Sequence, residues 1–150
     1  MSSYFVTGAS GAVGSAIIPL LMDLPDAQIH LLLRAESDLA LNDRLEDLLA
    51  YWGWRASAEK RARIRIYRGD AAAPQFGLSG SDYEQLTTHC THLIHCAGAV
   101  RMNLSLEKAR HSAVDSVQEI LALARLIRAR QRLAKVEVVS TVGVAGRDRK

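Results

Sequence analysis

The chain has 150 residues, 49% of them hydrophobic and 23% charged, with three prolines and two cysteines; that is room for one domain burying roughly 70% of its unfolded surface, and it excludes a disordered, collagen-like or low-complexity chain. The net charge of +3 raises nucleic-acid binding, because lysine and arginine neutralise phosphates. No recognition motif accompanies the charge, and its arginines gather where a helix end favours them, so no nucleic-acid partner is expected.

The first β-rich run, Tyr4 to Thr7, begins just after Met1, as the start of a free-standing domain would. It leads into TGASGAVG, Thr7 to Gly14, and then a helix predicted over Ala12 to Met22. Gly8 permits a sharp strand-to-helix turn, Gly11 lets the backbone approach a pyrophosphate, and Gly14 lets helix and strand pack closely. The helix start offers unpaired N–H groups and partial positive charge to phosphates. Thr7, Gly8, Ser10, Gly11, Ala12, Val13 and Gly14 are therefore candidate cofactor-binding residues. The spacing is GxxGxxG, not the GxxxxGK[ST] of a nucleoside-triphosphate loop. The apolar run Ala16 to Met22, broken by Pro19, is far short of the ~20 residues of a membrane span. No basic segment precedes it, so neither a span nor an export signal is expected.

A second strand is predicted over Gln28 to Leu33, and Arg34 follows it. NAD binders place an acid there, about 20 residues after the glycines, to hold the ribose hydroxyl. A guanidinium instead suits a 2′-phosphate, so Arg34 favours NADPH, while Glu36 and Asp38 lie close enough to leave NAD open. A helix over Leu39 to Trp52 follows, with Trp52 and Trp54 as packing residues.

The remaining elements are strands Ile64 to Arg68, His92 to Cys96 and Val136 to Ser140, and helices Ser81 to Cys90 and Leu106 to Gln131. In the last helix Val114, Val117, Leu121, Ala124 and Ile127 share one face, expected to pack on a sheet. Arg125, Arg128, Arg130 and Arg132 complement its C-terminal dipole, and Arg147 to Lys150 form a polar tail. Alternating apolar strands and helices imply an α/β, Rossmann-like, doubly wound parallel sheet of about five strands, in one dinucleotide-binding domain over residues 1–150. Its ligand crevice lies beyond the carboxyl ends of the strands. His89, Cys90, His92, His95 and Cys96 crowd together. On an extended strand, however, His92 and Cys96 face one side and His95 the other, so no metal is expected. The cysteines read as reduced thiols of a cytoplasmic protein.

The GxxGxxG turn in this setting resembles the extended short-chain dehydrogenase/reductase superfamily, and three further segments narrow the resemblance to its thioester reductase and fatty acyl reductase, or male-sterility, branch. Arg68 to Leu86, RGDAAAPQFGLSGSDYEQL, is similar to the branch's third-strand Gly-Asp and following G-L-S helix; this implies that Asp70 and Ala71 contact the adenine. His92 to Val100, HLIHCAGAV, is similar to the fourth-strand H-N-A-A-x-V, which implies that the backbone at Ala97, Gly98 and Ala99 runs beside the cofactor. Val138 to Gly146, VVSTVGVAG, resembles the S-T-x-x-V-x-G segment that carries the catalytic hydroxyl, implying Thr141 with Ser140 beside it. Two asparagines of the pattern are replaced, one by Cys96 and one by Ala113 in AVDSVQEIL, Ala113 to Leu121.

The resemblance implies hydride transfer between nicotinamide C4 and a carbonyl, with a tyrosine as acid and a lysine four positions later lowering its pKa. Tyr4, Tyr51, Tyr67 and Tyr83 all lack that lysine, and the chain ends at Lys150, before the pair would occur. The expectation is an incomplete reductase domain, inactive alone: the nicotinamide-dinucleotide-binding part of an NADPH-dependent enzyme acting on a small thioester, fatty acyl or aldehyde carbonyl. A non-catalytic NADP-binding module and an NAD-dependent sugar-nucleotide epimerase or dehydratase stay open as alternatives. The fifth strand would present an uncovered apolar edge, through which self-association is expected.

Overall fold

The computed structural model describes residues 1–99, 101 and 103–140. Five strands, β1 (Ser3–Thr7), β2 (Gln28–Leu33), β3 (Ile64–Arg68), β4 (His92–His95) and β5 (Lys135–Val138), pair in parallel in the order β3-β2-β1-β4-β5. This is the doubly wound sheet expected, with strand boundaries moved only at the ends. The order reverses between β1 and β4, so their carboxyl ends flank the switch point where such sheets hold ligands.

The helices are α1 (Ala12–Met22), α2 (Asp38–Tyr51), α3 (Ala58–Ala62), α4 (Gly80–His89), α5 (Leu106–Arg110) and α6 (Ser116–Ala129). Because side chains alternate along a strand, Val6 and Ile94 pack on one face against Ile18 and Met22 of α1 and Leu45 and Leu49 of α2. Their neighbours Phe5 and Leu93 pack on the other, with Leu86 of α4 and Ile120, Leu123 and Ile127 of α6. Each such aliphatic side chain, fully buried, contributes about 1.5–3 kcal/mol.

Three local features depart from the sequence reading. The helix expected over Leu106 to Gln131 is α5 and α6 joined by a π segment, His111–Asp115. Its sheet-facing residues are Ser116, Ile120, Leu123, Ala124 and Ile127, whereas Val114 and Leu121 are exposed. The wider π turn shifts the phase of Val114 against the helix that follows, while Leu121, inside the regular α6, lies one position after the buried Ile120 and falls outside the packed face. The short helix α3 is capped by Ser57, whose hydroxyl accepts from the Lys60 N–H; it is too brief for a periodic signal. A 3₁₀ turn, Pro74–Gly77, holds Gln75 and Phe76 at positive φ (49° and 59°), a conformation non-glycine residues rarely adopt. The fully buried Phe76 ring, 5.2 Å from Phe5, secures it.

Among the described residues β5 pairs only with β4, and Val138 and Val139 are 42% and 47% exposed. Among the same residues, no helix is long and apolar enough to cross a membrane.

Candidate functional site

The turn after β1 needs glycine at two positions. Gly8 has φ +73°, and a Cβ there would lie 2.6 Å from the Ala97 nitrogen. A Cβ on Gly14 would collide with the Gly8 carbonyl, so only glycine lets α1 sit this close to the turn. Each of α2, α3, α4 and α5 starts with a serine whose hydroxyl accepts a first-turn N–H, and each carries an acid in that turn. The first turn of α1, by contrast, has Gly11 as its N-cap, no side-chain cap and no acid. Its amides and the positive pole of its dipole are presented outward, which suits a bound anion.

Two adjoining clefts cross the carboxyl ends of the strands. The first, about 350 Å³, is lined by Gly8, Ser10 and Gly11 of the turn and by Arg34 and Arg44. Ala71, Ala97 and Gly98 complete it. The second, about 540 Å³, shares Gly11, Ala97 and Gly98 with the first and continues along Ala12, Val13 and Gly14. Ala99, Ala113, Val117 and Ser140 also line it. The structure thus gathers the expected turn residues, the end of β2 and the exit of β4 into one trench. Thr141 lies outside the described residues.

Thr7 departs from the expectation of a direct contact. It is fully buried and lines neither cleft. Its hydroxyl is engaged inside the protein, 2.7 Å from His95 Nδ1 and 3.4 Å from the Ala97 nitrogen. Burial holds the His95 pKa below the usual imidazole value. Asp70 stands at the edge of the first cleft, with Oδ1 accepting the Ala72 N–H (2.9 Å) and Oδ2 lying 3.2 Å from Arg34 Nε. That ion pair is largely exposed, 72% on the arginine side, and such pairs are worth little. Arg34 is therefore readily shared with another anion. Asp38, one of the two acids that left NAD open, pairs with Arg68 Nε at 3.2 Å, and Arg68 also donates to the Glu36 carbonyl.

Arg44 lines the first cleft and was not singled out from the sequence. It lies three residues after buried Leu41 and four before buried Leu48, beside the buried stripe of α2, and this spacing was the available signal. Cys90 and Cys96 are free thiols. Burial pushes Cys90 up to about 12, and burial followed by the Glu137 charge raises Cys96, so neither is a ready nucleophile. His95 faces α6 through Ser116, while His92 stacks on Tyr4 across the sheet. Among the described residues no group of three His, Cys, Asp or Glu side chains could hold a metal.

The switch-point trench, the glycine turn and the uncapped α1 define a Rossmann-type nicotinamide-dinucleotide-binding domain. Residues 6–150 match the NAD-binding family described as male sterility protein, and the chain belongs to that family. It is similar to a non-reducing polyketide synthase of Aspergillus terreus, 30% identical over 146 residues, which cover 94% of this chain and 5% of the synthase. The citrinin polyketide synthase of Monascus ruber is 26% identical over 144 residues, 94% of this chain and 6% of that protein. The crystal structure of the terminal R domain from the myxalamid PKS-NRPS biosynthetic pathway superposes with a TM-score of 0.78 at 28% identity, covering 96% of this chain and 36% of that one. The chain therefore spans a small fraction of the synthases and about a third of the solved domain. These matches bear out the male-sterility, thioester-reductase branch that the motifs resemble.

Proposed function

We propose that this chain is the NADPH-binding part of a reductase domain that delivers hydride to a thioester or to a fatty acyl or aldehyde carbonyl. The observation that carries the reading is Arg34, which lines the first cleft together with Gly8, Gly11 and Arg44. Two guanidiniums suit a 2′-phosphate, which they hold with charge-assisted, forked bonds. A bare ribose hydroxyl needs an acceptor instead of a cation. When bound, NADPH supplies the hydride. In this reading Ser10 and the backbone of Gly8 and Gly11 to Gly14 cradle the diphosphate, Asp70 and Ala71 flank the adenine, and Ala97 to Ala99 guide the nicotinamide end. Thr141, with Ser140 beside it, donates to the substrate oxygen as negative charge develops there. Similarity to polyketide synthases and to a terminal R domain supports an acyl thioester as the substrate class.

Titration calorimetry with NADPH and NADH tests the reading. NADPH should bind at least about tenfold tighter, the worth of one charge-assisted contact. Tighter NADH binding would overturn the role of Arg34 and favour a sugar-nucleotide epimerase or dehydratase relative. Binding of neither nucleotide would overturn the whole reading.

A specific observation favours a second reading, a non-catalytic NADP-binding module. The described wall of the second cleft carries no tyrosine and no lysine, and Ala113 and Cys96 stand in it where the resembled pattern has amides. In the gene, a Tyr-x-x-x-Lys downstream of Thr141 supports the reductase, and its absence supports the module.

A further inference from the structure

A buried run of hydrogen bonds joins the glycine turn to the helical wall of the second cleft. The Ala97 N–H reaches Thr7 Oγ1 (3.4 Å), Thr7 Oγ1 lies 2.7 Å from His95 Nδ1, and His95 Nε2 lies 3.1 Å from Ser116 Oγ. Ser116 Oγ then donates to the Ser112 carbonyl at 2.6 Å. Thr7, His95 and Ser116 are each at most 2% exposed.

The last bond determines the direction of all the others. A carbonyl only accepts, so the Ser116 hydroxyl hydrogen is committed to Ser112, and Ser116 accepts from the imidazole. His95 therefore carries its hydrogen on Nε2 and offers a lone pair on Nδ1. Thr7 donates to that lone pair and accepts from Ala97. Hydrogen bonds aligned head to tail in this way strengthen one another in a low-dielectric interior.

Ser112 sits in the π segment, and its own hydroxyl accepts the Ala99 N–H at 2.9 Å. The exit of β4 and the π segment thus both depend on a relay whose other end is the first residue of the glycine turn. Ala113 and Val117, on either side of Ser116, form the cleft wall. Insertions of this π type recur at functional sites.

We infer that His95 is a positioning residue that couples the glycine turn to the π segment, so that a nucleotide held on the turn sets the geometry of the second cleft's wall. The inference rests on the nucleotide-binding reading above. Among the described residues, Arg101 lines the second cleft with His95, and the acids on the elements packed against the imidazole are engaged elsewhere. On α6, Glu119 accepts from the Gln75 N–H, and Asp115, just before that helix, pairs with His111. On β5, Glu137 pairs with Lys135. Tyr4 on β1, and His92 and Cys96 on the β4 segment itself, point to the opposite face of the sheet. Burial is accordingly the one cause of the lowered His95 pKa. Protonation would turn Nδ1 from acceptor to donor and break the direction of the relay at Thr7.

The test uses the wild-type chain with Ser116→Ala, Ser116→Thr and His95→Asn, followed by NADPH calorimetry and NMR amide exchange. NADPH should slow exchange at Ser116 and Val117 about tenfold in the wild type and in Ser116→Thr, which keeps the hydroxyl, but not in Ser116→Ala. As pH falls below the ordinary imidazole value, wild-type affinity should fall more steeply than that of His95→Asn, whose side chain does not titrate. Equal slowing and equal pH profiles in all four proteins would overturn the coupling. Failure of the wild type to bind NADPH would instead overturn the proposed function. Should His95→Asn not fold, the two Ser116 variants still decide the question.

Discussion

Trp52 Nε1 donates a 2.9 Å hydrogen bond to the Ser15 carbonyl, the acceptor whose helical partner would be the N–H that Pro19, inside α1, does not have. The end of α2 thereby repairs the helix that carries the glycine turn. Trp52→Phe leaves that carbonyl without a partner and should cost about 1–3 kcal/mol by urea unfolding. Pro19→Ala restores a backbone donor, so in the double variant Trp52→Phe should cost about 1 kcal/mol less than it does alone. Simple additivity of the two changes would reject the repair.

Arg34 and Arg44 face one cleft, and their value should be specific to the nucleotide. Arg34→Ala removes charge-assisted bonds worth about 1.5–3 kcal/mol, so NADPH affinity should drop about 10- to 100-fold while NADH affinity barely changes. Arg44→Ala should act in the same direction. Because the Arg34–Asp70 pair is exposed, the unfolding free energy should move by less than about 1 kcal/mol. Calorimetry showing equal losses for both nucleotides would remove the 2′-phosphate from the argument.

The frame was legible because its signals are local. The TGASGAVG turn, Arg34 after an apolar strand and the small residues after β4 each declare their place within a few positions of chain. What stayed hidden depends on partners far apart in sequence. Thr7 looked like a ligand residue until the fold set it against His95, 88 positions away. The π segment left no compositional mark, yet it takes Val114 out of helical register, and within α6 the buried stripe runs through Ser116, Ile120, Leu123 and Ile127, not through Leu121. Phe76 adopts a left-handed conformation because its ring finds Phe5, which no local propensity favours.

His30 gives stability a pH dependence. Its Nδ1 lies 2.9 Å from the Tyr67 hydroxyl. Burial, then the Arg65 and His89 charges, lowers its pKa from 6.5 to about 4. The folded protein thus favours the neutral ring, so this contribution is complete above about pH 6.5 and is lost as pH falls toward 4, amounting to about 3 kcal/mol. The lowered values of His92 and His95 act in the same direction. Urea midpoints should fall steadily from about pH 7 to pH 4.5. His30→Gln, which keeps a partner for Tyr67 without titrating, should flatten much of that slope. An unchanged slope in the variant would assign the acid sensitivity elsewhere.

The open edge of the sheet should govern how the 150-residue chain associates. Among the described residues β5 is hydrogen-bonded on one side, to β4. Its Lys135–Glu137 ion pair supplies charge of the kind that blunts sheet edges. That protection stops short of Val138 and Val139, which are apolar, exposed and next to each other. Two copies brought edge to edge would pair the free backbone groups. Size-exclusion chromatography with light scattering should therefore show a concentration-dependent shift to larger species. Val139→Lys places a charge on the edge without touching the core, so it should restore the monomer while changing stability by no more than about 0.5 kcal/mol. A compact wild-type monomer at every concentration would mean that the edge is protected.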